Sequence, residues 1–83
     1  MWRASIYVTL KEGVLDPQGQ AILGSLKQLG FSSMQSVRVG KFITVELNAA
    51  SQSEAEEQVK SICQRLLTNP VLEDYSFQLE VVS

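Results

Sequence analysis

The sequence predicts an α+β fold, a two-layer sandwich in which an antiparallel sheet carries two helices on one face. Two observations lead there. Residues 3–11, 35–48 and 72–82 alternate apolar with polar side chains, the period of a half-buried strand. Residues 17–29 and 53–67 instead repeat apolar residues at helical spacing. At 83 residues the chain is read as one domain spanning 1–83, with a core small enough to gain from burying surface in an oligomer or complex.

In the first strand Ala4, Ile6, Val8 and Leu10 point one way and Ser5, Tyr7, Thr9 and Lys11 the other. The next segment, LKEGVLDPQGQAI, crowds Gly13, Asp16, Pro17 and Gly19 into one connection. Asp16 suits an N-cap and Pro17 the first helical position, where its missing N–H costs nothing. Ile22, Leu23, Leu26 and Leu29 share a helical face, and Gly30 suits a left-handed C′ residue. Gly19 and Gly24 lie inside the helix and cost up to about 1 kcal/mol each against alanine. They mark either tolerance or the close approach of another backbone.

Val37, Val39, Ile43, Val45 and Leu47 share one parity across Gly40-Lys41. A two-residue hairpin there would send the two arms' side chains to opposite faces, so it is rejected. A three-residue loop, Gly40-Lys41-Phe42, pairs Val39 with Ile43 and keeps both arms consistent. A single bent strand keeps parity too. It would reach roughly 40 Å against roughly 20 Å for the helices, and its overhang would need a partner chain. Ser53 and Glu56 read as a capping box for the second helix, with Ala55, Val59, Ile62, Cys63, Leu66 and Leu67 as its apolar stripe and Asn69-Pro70 as its stop. Tyr75, Phe77, Leu79 and Val81 line the last strand.

With the middle segment folded as a hairpin, the order is β-α-β-β-α-β, the ferredoxin-like plan. In that plan GVLDPQG, VRVGK and TNPVLEDY gather at one end. The outer sheet face keeps Tyr7 and Phe42 as a docking surface.

Net charge is −2, which argues against a nucleic-acid module. No apolar run approaches the roughly 20 residues of a membrane helix, and the start does not read as a signal peptide, so a cytoplasmic protein is expected. The chain has no histidine and one cysteine. The usual general base, proton switch and commonest metal ligand are absent together, and neither a disulfide nor a cysteine metal cluster is available. Cys63 lies in an apolar stripe and reads as a buried, inert thiol. Glu54, Glu56 and Glu57 read as helix-dipole partners.

Gly13, Gly19 and Lys11 match neither a P-loop nor a dinucleotide fingerprint, and Asp16 occupies the helix N-terminus an anion would take. An acylphosphatase-type site would need an arginine-bearing phosphate loop after the first strand, where this chain has Lys11-Glu12-Gly13. Lys11, Arg38 and Lys41 meet at the shared end, either solvated, facing a protein partner or holding a small anion. No catalytic, cofactor-binding or metal residue is expected. The candidate partner surface comprises Lys11, Gly13, Val14, Leu15, Asp16, Pro17, Gln18, Arg38 and Lys41.

Four segments, YVTLKEGVLDPQGQAI, LKQLGF, VRVGKF and LLTNPVLEDY, in this order, give the chain a resemblance to the PurS subunit family of phosphoribosylformylglycinamidine synthase, also called formylglycinamide ribonucleotide amidotransferase. Thr68, where the family often has alanine, and the Trp2-Arg3 start are the departures. The resemblance implies a non-catalytic assembly subunit of purine biosynthesis, a homodimer or higher homo-oligomer that joins a PurL-type synthetase to a PurQ-type glutaminase and aids ammonia transfer. ATP and Mg would belong to the synthetase, and glutamine would be the ammonia source. A contrasting reading of the same plan is a small-molecule-binding regulatory module.

Overall fold

The computed structural model describes residues 1–82; Ser83 of the expected 1–83 domain lies outside them. The elements are β1 (Trp2–Leu10), α1 (Pro17–Gln28), β2 (Gly40–Leu47), α2 (Gln52–Ile62), a π-helical turn (Cys63–Leu67) and β3 (Glu73–Val81). The sheet is antiparallel in the order β2-β1-β3. This is the expected α+β, ferredoxin-like arrangement, with the position beside the outer edge of β2 left empty.

The period-two reading of β1 holds: Ala4, Ile6 and Val8 are buried, and across from Ile6 stand Ile43 of β2 and Phe77 of β3. α2 covers this face with Val59, and the π-helical turn that continues it adds Cys63; Ala55 of α2 is buried as well. The opposite face carries Arg3 between Glu46 and Glu80, at 4.0 and 3.2 Å, and the stacked rings of Tyr7 and Phe42, centroids 4.9 Å apart. Both rings are about half exposed or more. No helix among the described residues is long and apolar enough to cross a membrane.

The hairpin does not form. Residues 34–39 form no helix or strand, pair with no strand of this chain, and enter β2 without a turn or bend. Two physical reasons stand against closure. The three-residue loop needs its last residue in the left-handed region, and that residue is Phe42, whose bulky side chain disfavours it. In addition, the Val39 N–H is already donated to Asp16 Oδ2 at 2.8 Å.

α2 also begins elsewhere than expected. Two Ser-x-x-Glu patterns overlap, and the earlier one caps the helix: Ser51 Oγ accepts from the Glu54 N–H at 3.2 Å, and Glu54 Oε2 accepts from the Ala50 N–H at 3.0 Å. At its far end the helix widens. The Thr68 N–H reaches the Cys63 carbonyl five residues back at 3.0 Å, and the Thr68 hydroxyl donates to the same oxygen. The surplus residue turns Leu66 outward, 78% exposed, instead of into the expected stripe.

α1 is framed as expected. Asp16 caps it, and the Gly30 and Phe31 N–H groups return to the Lys27 and Leu26 carbonyls at 3.1 and 2.9 Å in a Schellman closure. Its apolar face, however, lies on neither the sheet nor α2, and Gly19 is its one buried residue. The chain is therefore long and thin, 52 × 29 × 14 Å, with a radius of gyration of 16.5 Å. A compact chain of this length would have about 12 Å. Its surface of 5960 Å² exceeds by roughly 1000 Å² what a compact monomer of this mass exposes.

With so few fully buried side chains, stability concentrates at the sheet–α2 contact. Ile6→Ala is expected to cost about 2–5 kcal/mol, read as a lower urea midpoint at unchanged m-value.

Candidate partner interface

The loop after β1 is built from backbone outward. Lys11-Glu12-Gly13-Val14 is a tight turn closed by the Val14 N–H on the Lys11 carbonyl at 3.1 Å, and Gly13 takes the third place with φ 87°, where a side chain would strain it. Arg38 braces the outside of this turn. Its guanidinium donates to the carbonyls of Val14, Lys11 and Leu10 at 2.9, 3.1 and 3.4 Å. This is the fork geometry that Arg alone offers.

Asp16 sits at the centre. Oδ1 accepts the Gly19 N–H at 2.9 Å, which caps α1, and Oδ2 accepts the Val39 N–H at 2.8 Å, which binds the extended segment. The residue is 5% exposed. Gly19 is what lets the two backbones meet: a β-carbon there would lie 2.2 Å from the Val37 carbonyl oxygen. Gly24 has open space around it in this chain, so close approach explains one interior glycine and not the other.

The three cations do meet at this end, but each is engaged within the chain. Lys11 Nζ lies 2.8 Å from Asp74 Oδ1, and Lys41 Nζ lies 3.7 Å from Glu73 Oε2. Arg38 is held by carbonyls. Glu73 also accepts the Asn69 N–H at 2.8 Å, closing the turn that Asn69-Pro70 begins; Asn69 Oδ1 in turn accepts the Val71 N–H at 3.0 Å. The sequence reading missed Glu73 and Asp74. The ladder sets Glu73 opposite Leu10 and Asp74 opposite Thr9, so the acidic pair in TNPVLEDY was the signal.

The gathering of GVLDPQG, VRVGK and TNPVLEDY is thus realised, and its inner polar groups bind one another. What the end presents outward is Leu15, 70% exposed, with Pro17 and Gln18 and the partly exposed Val14. A shallow cleft of about 260 Å³ is bordered by Asp16, Gln18, Val39, Lys41 and Glu73. A second, of about 450 Å³, lies beside the Lys11–Asp74 pair and is bordered by Gln64, Thr68 and Tyr75. Every buried side-chain nitrogen or oxygen among the described residues has a partner. Cys63 stays in the core, where burial pushes its thiol pKa up.

The N–H groups of Gly19, then Val39, hold the Asp16 carboxyl below its ordinary value of 3.8, against the opposing effect of burial; the Arg38 charge adds to the lowering. Because the folded pKa is the lower one, this stabilisation is complete above the unfolded value. It is lost as pH falls from about 3.8 through the folded pKa. The difference in thermal stability between the native chain and Asp16→Asn is expected to be constant near neutral pH and to shrink below about pH 4.

Comparison with known proteins agrees with this architecture. The family model for PurS, described as phosphoribosylformylglycinamidine (FGAM) synthase, matches residues 3–81. The phosphoribosylformylglycinamidine synthase subunit PurS of Synechocystis is 41% identical over 78 residues, covering 94% of this chain and 78% of that one. Crystalline PurS of Methanocaldococcus jannaschii, one of the subunits of its formylglycinamide ribonucleotide amidotransferase, superposes with a TM-score of 0.90 at 34% identity over the whole of both chains. A chain in the structure of PurLQS from Thermotoga maritima superposes with a TM-score of 0.87 at 33% identity, over 95% of this chain and 96% of that one. An unbroken match from Arg3 to Val81, together with the shared fold, places this chain in the PurS family of phosphoribosylformylglycinamidine synthase subunits.

Proposed function

We propose that this chain, acting as one domain in the cytoplasm, is the non-catalytic assembly subunit of phosphoribosylformylglycinamidine synthase in purine biosynthesis. It works as a homodimer or higher homo-oligomer and joins a PurL-type synthetase to a PurQ-type glutaminase. Chemistry with ATP, Mg and glutamine belongs to those partners, and this subunit helps to shield the ammonia passing between them.

The observation that carries the reading is the braced end of the molecule. Asp16, Arg38, Lys11 and Lys41 are engaged inside the chain, so the loop keeps one shape while Val14, Leu15, Pro17 and Gln18 stand outward. A surface fixed beforehand loses less entropy on docking. The similarity to a chain of PurLQS from Thermotoga maritima supports the same partners here. The surplus of exposed surface supports association between copies.

Leu15 is exposed, so Leu15→Glu is expected to leave thermal stability within about 0.5 kcal/mol of native. In a complex reconstituted from the three subunits, the same substitution should lower the affinity for the larger subunits by about tenfold or more. Glutamine-dependent amidine formation should fall with it. Full activity from the two larger subunits alone, with this chain omitted, would refute the assembly role.

A further inference from the structure

The larger of the two clefts takes no part in the outward surface around Leu15. Its volume of about 450 Å³ falls within the roughly 300–1,000 Å³ of small-molecule sites. On the helix side it is bordered by Gln64, within the π-helical turn, and on the sheet side by Asp74 and Tyr75 at the start of β3 and by Lys11 just past β1. π-Helical turns recur at functional sites. The polar groups here are of both signs and lightly committed. Lys11 Nζ spends one of its N–H donors on Asp74 Oδ1, at 2.8 Å. The two side chains are 40% and 63% exposed, so the pair contributes little and opens readily. The turn keeps its shape when the pair opens, because the Lys11 N–H still donates to the Leu72 carbonyl at 2.8 Å and Arg38 still holds the Lys11 carbonyl. Gln64 donates to the Tyr75 hydroxyl at 3.3 Å, long for a hydrogen bond.

We propose that this cleft binds a free α-amino acid with a small polar side chain: its carboxylate takes Lys11, its ammonium takes Asp74, and its side chain meets Gln64 and the Tyr75 hydroxyl. Charge selects this class. An anion alone would face Asp74 and Glu73, which also borders the cleft, and a cation alone would face Lys11. A molecule with both charges on one carbon exchanges a single exposed ion pair for two. Glu73 is not free to compete for the ammonium, since it accepts the Asn69 N–H and faces Lys41. A side-chain amide or hydroxyl both donates and accepts, as do the Gln64 amide and the Tyr75 hydroxyl. Lys11 also opens the turn that Val14 closes, so a ligand held by Lys11 lies next to the outward-facing loop. The inference goes beyond the assembly role and does not rest on it.

The test is an NMR titration of the isotope-labelled full chain with L-asparagine, with L-alanine, acetate and methylamine as comparison ligands. L-Asparagine should give saturable shifts at the main-chain amides of Lys11, Gln64, Asp74 and Tyr75, half complete at about 1 mM or below. L-Alanine, which keeps both charges but has no polar side chain, should bind about threefold more weakly or worse. Acetate and methylamine, with one charge each, should bind about tenfold more weakly or worse. Lys11→Met and Asp74→Asn should each raise the half-saturating concentration about tenfold or more, with thermal stability nearly unchanged because the pair is exposed. Gln64→Ala should abolish the preference for L-asparagine over L-alanine. In the native chain, no saturable shift up to about 10 mM would overturn the proposal. So would equal binding of acetate or methylamine, or shifts centred away from these four residues. Each of those results leaves assembly with the larger subunits, read separately by reconstitution, untouched.

Discussion

One carboxylate organises this molecule. Asp16 has two oxygens and each takes a backbone N–H from a different element, Gly19 from α1 and Val39 from the run leading into β2. The Arg38 brace and the turn at Gly13 act beside this contact in setting the direction of α1. An ordinary N-cap fixes where a helix starts. This one also fixes where the helix points.

The body to which α1 is attached follows different physics. Its three strands and α2 are joined by apolar burial around Ile6, Val8, Val59 and Cys63, and by cross-strand ion pairs at the exposed face. Those surface pairs contribute little each. They agree with the register that the buried face sets, since Arg3 faces both Glu46 and Glu80 only in the pairing observed. Stability and shape are thereby separated: the body folds by burial, while the Asp16 end is set by hydrogen bonds to main-chain groups.

Much of the body was legible from residue order, because its rules are local. Alternation in β1 and β3, the Asp16-Pro17 start of α1 and the Gly30 stop all depend on neighbours within four positions. The second helix shows the limit of such rules. Ser51-x-x-Glu54 and Ser53-x-x-Glu56 carry the same signal, and nothing local separates them; Ala55 and Val59 reach the core from either start. The roles of Arg38 and Lys41 were less legible still. Both were read as cations at a shared end, which is where they lie. That one holds carbonyls 24 to 28 residues away and the other faces Glu73 depends on how the chain crosses itself. The failure of the hairpin had one local cause, the unsuitability of Phe42 for a left-handed position, which parity alone does not register, and one distant cause, the hold of Asp16 on the Val39 N–H.

The π-helical turn at Cys63–Leu67 has a bearing on how the chain leaves α2. A helix that carries one residue too many holds it as a bulge, without lengthening its axis or displacing the residues beyond it. Here the surplus residue costs only the outward turn of Leu66, while Cys63 and Thr68 stay anchored on either side. Both the N–H and the hydroxyl of Thr68 close the wide turn on the Cys63 carbonyl, so the course of the chain out of the helix is set at that single oxygen.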